Sequence, residues 1–476
     1  MKLEEYANQD ATGLAKLIRS GEVTVAEVHA VAREAIAAVN PRLNALAAAP
    51  FEQPLANNAS GPFAGVPFAI KDIICHAAGV PTRFGSRMVP PDFAFPHDTD
   101  LMQRWRAAGL ATLCRTTTPE FGFSANTEPL LNGPTRNPWN TGRIAGGSSG
   151  GSSALVAARA LPVAHANDGG GSIRFPAAMC GLVGLKPTRG RVPIGPDVAE
   201  ALSGMGIEFA VTRSVRDAAA LLDAVEGPGV GEKYEIARPV RPYVQELGAD
   251  PGRLRIAVSP RGWHGVPVDP ACVAAVEQTA QLLAGMGHHV EEATPQFDYE
   301  PFLTANRDMW SIGLAGWIAG MAGALGITPT PDKIESSAWA CMQHGLGMSA
   351  IDLLAAEHTI NTVCRSIGAF FQAYDILLTP TSPAPASALG SLDANAPGLD
   401  ADTWTRRVFA LSPFTPPFNS TGQPAISLPL CTAADGLPIG LQFVARFGAE
   451  ATLFRLAAAL EKTLPWSGRK PAVCAG

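Results

Sequence analysis

Short apolar runs alternate with amphipathic stretches along most of the chain. GVPFAI (65–70) predicts a buried strand that delivers Lys71 and Asp72 at its end. ATLCR (111–115), LPVAHAN (161–167), LRIAV (254–258) and DILLTP (375–380) read as further strands. AISLPL (425–430) and GLQFVA (440–445) form two more, joined by the turn residues Asp435-Gly436. Helices are expected between them. Thr24 and Glu27 form a capping box ahead of VAEVHAVAREAIAAVN, and Asn40-Pro41 should stop that helix. Asp98 or Thr99 caps a helix through Ala108, and Ser152 and Ser153 start SSALVAARA (152–160). Ser214 and Asp217 cap RDAAALLDAV, and Asp269-Pro270 opens a helix ending near Met286. Helices dominate from Phe302 to about Tyr374, and an amphipathic one spans about 450–463. Alternating strands and helices predict an α/β layered fold with a largely buried sheet. No repeat or clear linker interrupts it, so residues 1–476 read as a single domain.

Composition narrows the functional classes. Apolar residues make up 47% and charged residues 16%, as in a compact protein with much buried surface. A net charge of −6 and scattered basic residues offer no electrostatic case for nucleic acid or an anionic membrane. The eight cysteines lie far apart, and no Cys/His cluster has metal-binding spacing, so neither a disulfide framework nor a metal is expected. Together with an acidic, polar N-terminus this points to a cytoplasmic protein. The segment from Met309 to Pro331 has no charge, but its glycines at 313, 316, 320, 323 and 326 make it weakly apolar. Their spacing predicts a helix packed closely against another element rather than a membrane span.

The chemistry concentrates between Gly146 and Pro176, GGSSGGSSALVAARALPVAHANDGGGSIRFP. A flexible linker has no reason to sit twice between buried elements. The glycines do not match GxxxxGK[ST] or GxGxxG, which argues against a phosphate cradle. Gly146–Gly150 matches GxSxG around Ser148, but no apolar strand precedes it and no histidine follows late in the chain. The turn DGGGS instead places successive backbone N–H groups beside the Ser172 hydroxyl, as an oxyanion hole requires. Ser172 then reads as a nucleophile whose base is a buried lysine. His165, on the preceding strand, reads as a core histidine.

The segments GVPFAIKD (65–72), TPEFG (118–122), NGPTRNPWN (132–140), GGSSGGSSALVAA (146–158), DGGGSIRFPAAMCGLVGLKPTRGRV (168–192) and FNSTGQPAISLPL (418–430) resemble the amidase signature family, in family order. That resemblance implies the amidase signature fold, a large mixed β-sheet between helical layers, with a signature core at about 60–220. It implies a Ser–Ser–Lys triad of Ser172, Ser148 and Lys71, with a cis peptide before Ser148. It also implies an oxyanion hole of the Gly169, Gly170, Gly171 and Ser172 amides, with Asp168, Arg174 and Ser149 in support. No cofactor or metal is called for. Two departures stand out. Gly169 replaces a common threonine or isoleucine and should loosen or widen the loop, and Cys114-Arg115-Thr116-Thr117 replaces the common GKTN.

The implied activity is cleavage of a carboxamide C–N bond through a Ser172 acyl-enzyme, by a monomer or homodimer. Residues 300–350 carry Phe302, Met309, Trp310, Trp317, Met321, Trp339, Met342 and Met348, a stripe of core or pocket wall. If it faces the site, the substrate is an apolar or aryl amide, an anilide, a carbamate or a cyclic amide. VAHANDGGGS, TEPLLNGPTRNPWN and PFNSTGQPAISLPL are similar to the nylon-oligomer cyclic-dimer hydrolase and aryl-acylamidase branch. Two other readings stay open: an amidotransferase subunit acting on charged tRNA within a complex, and a catalytically silent binding protein.

Overall fold

A computed structural model describes residues 1–476. Two strands, β1 (Pro67–Lys71) and β2 (Ala111–Thr116), pair in parallel as a small sheet of their own. The other eight are β3 (Val163–Asp168), β4 (Val183–Lys186), β5 (Ile207–Thr212), β6 (Arg255–Val258), β7 (His289–Glu292), β8 (Ile376–Pro380), β9 (Ala425–Thr432) and β10 (Pro438–Ala445). They form one mixed sheet in the order β3-β5-β4-β9-β10-β8-β6-β7. Only β6 pairs in parallel, with β7 and β8.

Side chains alternate between the faces of this sheet, as a period of two requires. Ile256, Val258, Ile376 and Leu378 enter one apolar core, which also buries helices Val25–Leu43, Val215–Val225 and Glu450–Thr463. Ala257 and Leu377, between them in sequence, enter a second core built with helices Tyr299–Leu325, Ser336–Leu346 and Ala350–Ala373. The sheet is therefore covered by helices on both sides, the expected α/β layering. No helix is long and apolar enough to cross a membrane.

Most predicted elements form within a residue or two of their expected bounds, and the departures have local causes. Helix Val25–Leu43 runs through Pro41 and ends at Asn44 in the left-handed region (φ 52°). The proline falls in the last turn, where Ala37 is exposed and water can replace the lost N–H donor, while buried Leu43 anchors the end. The predicted helix 152–160 forms over Gly150–Ala157, because Arg159 turns left-handed (φ 60°). Asp217 does not cap its own helix. Its buried carboxylate instead accepts the Ala11 and Thr12 N–H groups at 2.8 and 2.9 Å, opening helix Ala11–Arg19. Strands β4 and β5 were illegible in sequence: β4 is four residues long beside Pro187, and Glu208 interrupts the apolar run of β5.

A fully buried ion pair holds the turn after β3. Arg174 donates from Nε to Asp168 Oδ2 and from Nη2 to Asp168 Oδ1, both at 2.9 Å. Its remaining N–H groups reach Gln442 Oε1 at 2.7 Å, the Thr415 carbonyl at 3.0 Å and Asn419 Oδ1 at 2.5 Å. Asn419 Nδ2 donates back to Asp168 Oδ1 at 2.9 Å. Every charged atom has a partner, which a buried pair needs to offset its desolvation. The turn is thereby tied to β10 and to helix Pro416–Ser420. Arg174→Met should strand the Asp168 carboxylate and lower stability by roughly 3–5 kcal/mol. Adding Asp168→Asn should recover part of that loss, read as the urea unfolding midpoint.

Candidate active site

Lys71, the last residue of β1, is completely buried. Its Nζ lies 2.7 Å from Ser148 Oγ and 2.6 Å from Asn167 Oδ1. Burial brings the amine down from its usual range to about 7, while the Glu208 and Asp168 carboxylates pull in the opposite direction. Both carboxylates are engaged elsewhere, Asp168 by Arg174 and Glu208 by His165. Burial therefore favours the neutral amine.

His165 takes the structural role expected of it. Its Nδ1 accepts the backbone N–H of Lys71 at 3.2 Å, so the ring hydrogen sits on Nε2 and donates to Glu208 Oε2 at 2.6 Å. The ring thus joins β1 of the small sheet to β3 and β5 of the large one. With both nitrogens engaged, it has no lone pair left for a substrate or a serine.

The Ser148 side rests on the same strand. Ser149 Oγ donates to the Asn167 carbonyl at 3.2 Å and Ser152 Oγ to the His165 carbonyl at 2.7 Å, stapling the start of helix Gly150–Ala157 to β3. The Gly147–Ser148 peptide is cis. Thr116, one of the residues in place of the common GKTN run, hydrogen-bonds Ser152 at 2.7 Å.

The glycine-rich turn departs from expectation twice. The Gly171 N–H donates to Asp168 Oδ1 at 2.6 Å, so it is not available to a substrate oxygen. The Gly169, Gly170 and Ser172 N–H groups have no acceptor within the chain. Gly171 has φ +137° and Thr415 fills the space where a Cβ would stand, so only glycine fits. Gly169 does not loosen the loop. A Cβ there would meet Leu202 Cδ1 at 2.8 Å, and one at Gly170 would meet the Trp310 ring at 2.8 Å. Both glycines let bulky side chains close over the turn.

Ser148, Asn167, Gly169 and Ser172 line one cavity of about 510 Å³. Apolar residues make up about half of its walls, and Phe84, Phe93, Phe95, Phe121, Trp310 and Trp317 are among them. Helix Tyr299–Leu325 supplies one side. Of its predicted stripe, Trp310, Trp317 and Met321 face the cavity, while Phe302 and Met309 go to the core with Met342 of the next helix. Trp339 packs at the margin of that core and Met348 is half-buried. The glycines of this helix do not pack tightly as a set. Gly313 touches Leu202, but nothing stands within 4 Å of a Cβ built at Gly316 or Gly320, and all three border the cavity. Gly316 and Gly320 are exposed, so their missing side chains keep the cavity's opening wide.

Sequence reading missed Asn167 and Glu208. Asn167 stands within the quoted stretch VAHANDGGGS, but only folding shows that its amide oxygen reaches Lys71. Its Nδ2 is buried without a partner, at the cavity wall. A charged residue beside the apolar stretch FAV (209–211) was the available signal for Glu208.

The chain matches known proteins over most of its length. The Amidase family model matches residues 23–454. The chain is 39% identical to a 6-aminohexanoate-cyclic-dimer hydrolase of Paenarthrobacter ureafaciens, over 97% of this chain and 96% of that one. An acylamidase of Rhodococcus erythropolis is 34% identical, with 97% of both chains covered. The solved structure of a 6-aminohexanoate cyclic dimer hydrolase with substrate superimposes with a TM-score of 0.91 at 36% identity, covering 98% of this chain and 99% of that one. With a buried lysine against Ser148, an anchored glycine turn at Ser172 and a family match over most of its length, the chain belongs to the amidase family.

Proposed function

We propose that this amidase cleaves amides through a Ser172 acyl-enzyme, with Ser148 and Lys71 as its proton relay. The protein is an amide-cleaving hydrolase of carbon–nitrogen bonds. One observation carries the mechanistic reading: a buried lysine amine, poised near neutrality, contacts Ser148 at 2.7 Å beside a cavity that also holds Ser172.

In the proposed sequence neutral Lys71 takes the Ser148 hydroxyl proton, and Ser148 takes that of Ser172 as its Oγ attacks the amide carbon. The developing oxyanion is held by the free N–H groups of the Gly169, Gly170 and Ser172 turn. Arg174 and Asp168 keep these donors in place, so little reorganisation accompanies charge development. The relay returns the proton to the leaving nitrogen, the C–N bond breaks, and the amine departs. Water then attacks the Ser172 ester by the same relay and releases the carboxylic acid.

The aromatic lining and the volume of about 510 Å³ fit an uncharged aryl or apolar amide, linear or cyclic. A relative named for a cyclic dimer of 6-aminohexanoate supports including cyclic diamides. A panel of primary amides, anilides, carbamates and a cyclic diamide tests this. Preference for small charged amides over all apolar ones would overturn it.

Four further outcomes are expected. Lys71→Ala, Ser148→Ala and Ser172→Ala should each lower kcat on a nitroanilide by about 1,000-fold or more, and full activity in any one would refute its role. The base works only when neutral, so kcat/KM should rise with pH through about 7. Glu208→Gln keeps an acceptor for His165 but removes a charge that holds the Lys71 proton, so this limb should move to lower pH. Gly320→Leu should fill cavity volume, raising KM for bulky anilides several-fold while sparing small amides.

A further inference from the structure

Three side chains that are distant in sequence meet at the rim of the aromatic cavity. His76 follows β1, His97 lies in the loop after Phe95, and Asp197 lies in the loop before β5. His76 Nε2 is 3.3 Å from Asp197 Oδ2, and His97 Nε2 is 3.0 Å from Asp197 Oδ1. One donor atom from each residue lies within 4.8 Å of the other two. The sequence showed no metal-binding spacing because no two of these residues stand in a local motif.

The state of His76 makes the cluster more than a surface ion pair. Its Nδ1 lies 2.9 Å from the Ile74 carbonyl. A carbonyl only accepts, so Nδ1 carries the hydrogen and Nε2 of the neutral ring presents a lone pair. That nitrogen is buried without a hydrogen-bond partner, on a side chain only 3% exposed. It faces a carboxylate oxygen, another acceptor. The ring is held there by stacking on Phe95, with centroids 3.7 Å apart and planes at 12°. Two acceptors at this distance repel unless a proton or a metal ion stands between them.

We propose that His76, His97 and Asp197 form a binding site for a divalent transition-metal ion of the zinc type at the cavity mouth. Zinc bonds of roughly 2.0–2.1 Å in tetrahedral geometry place ligand atoms about 3.3 Å apart. The 3.3 Å separation of His76 Nε2 from Asp197 Oδ2 matches that spacing, and His97 Nε2, hydrogen-bonded at 3.0 Å to both Asp197 oxygens, stands close to it. The Ile74 carbonyl plays the part of an outer partner that orients a metal-ligating imidazole. His97 and Asp197 have side chains 43% and 33% exposed, which leaves a path for entry and a fourth position for water. The ion would join the 93–97 segment to the 194–202 loop, and both segments line the cavity. It takes no part in the acyl-transfer steps.

Calorimetric titration of the chelator-treated full chain with Zn²⁺ tests the site. One ion per chain should bind, and Co²⁺ in its place should give the visible bands of a four-coordinate nitrogen and oxygen site. His97→Ala and Asp197→Asn, both at open positions where the fold tolerates change, should each weaken binding by about 100-fold or more. Ser172→Ala should bind as the wild type does. Absence of saturable binding would overturn the proposal. So would unchanged affinity in the two variants, which would place the ion elsewhere, for example on the partly exposed Cys364, Cys431 or Cys474.

Discussion

The removal of the Lys71 amine from water is the constraint on which the rest of this structure depends. An ammonium in the interior loses its hydration, so burial favours the neutral, basic form. A free carboxylate nearby would undo this by stabilising the proton. Glu208 and Asp168 are the two carboxylates that act on Lys71, and each is occupied. His165 donates to Glu208, and Arg174 grips Asp168 with two hydrogen bonds. The same two pairings position the backbone: one joins β1 to the large sheet, the other anchors the glycine-rich turn. Electrostatic tuning and geometric support therefore come from the same side chains.

The cavity answers a different requirement. Glycines inside a helix each cost roughly 0.8–1 kcal/mol relative to alanine. Helix Tyr299–Leu325 carries Gly313, Gly316 and Gly320 on the side facing the cavity, between aromatic residues that wall it. Length and apolar packing elsewhere hold the helix, with Phe302, Met309 and Ile318 buried in the second core. Gly169 and Gly170 apply the same economy in reverse, letting Leu202 and Trp310 approach the turn until no room for a Cβ remains. Space is opened along the cavity and closed over the glycine-rich turn.

Much of the fold was legible because its signals are local. The Thr24–Glu27 capping box, the Thr99 cap, the Asp269-Pro270 start and the turn at Asp435-Gly436 all stand where the sequence predicts. The errors arise where a tertiary partner overrides local preference. Leu43 holds a helix past Pro41, and Asp217 serves a neighbouring helix instead of its own. Glu208 interrupts the apolar run of β5, and its place there is explained only by His165 beside it.

The sequence by itself determined the α/β alternation and singled out the glycine- and serine-rich stretch from Gly146 to Pro176. Apolar periodicity and the DGGGS turn are properties of contiguous residues, and family resemblance added Lys71 and Ser148. Only the tertiary structure decided which groups touch. Hydrogen bonding made the Gly171 amide a structural donor and Asn167 a partner of Lys71. Chain crossings that sequence spacing does not encode brought His76, His97 and Asp197 together. Burial, which lowers the lysine amine toward neutrality, belongs to the three-dimensional environment of a residue and not to its position in a string.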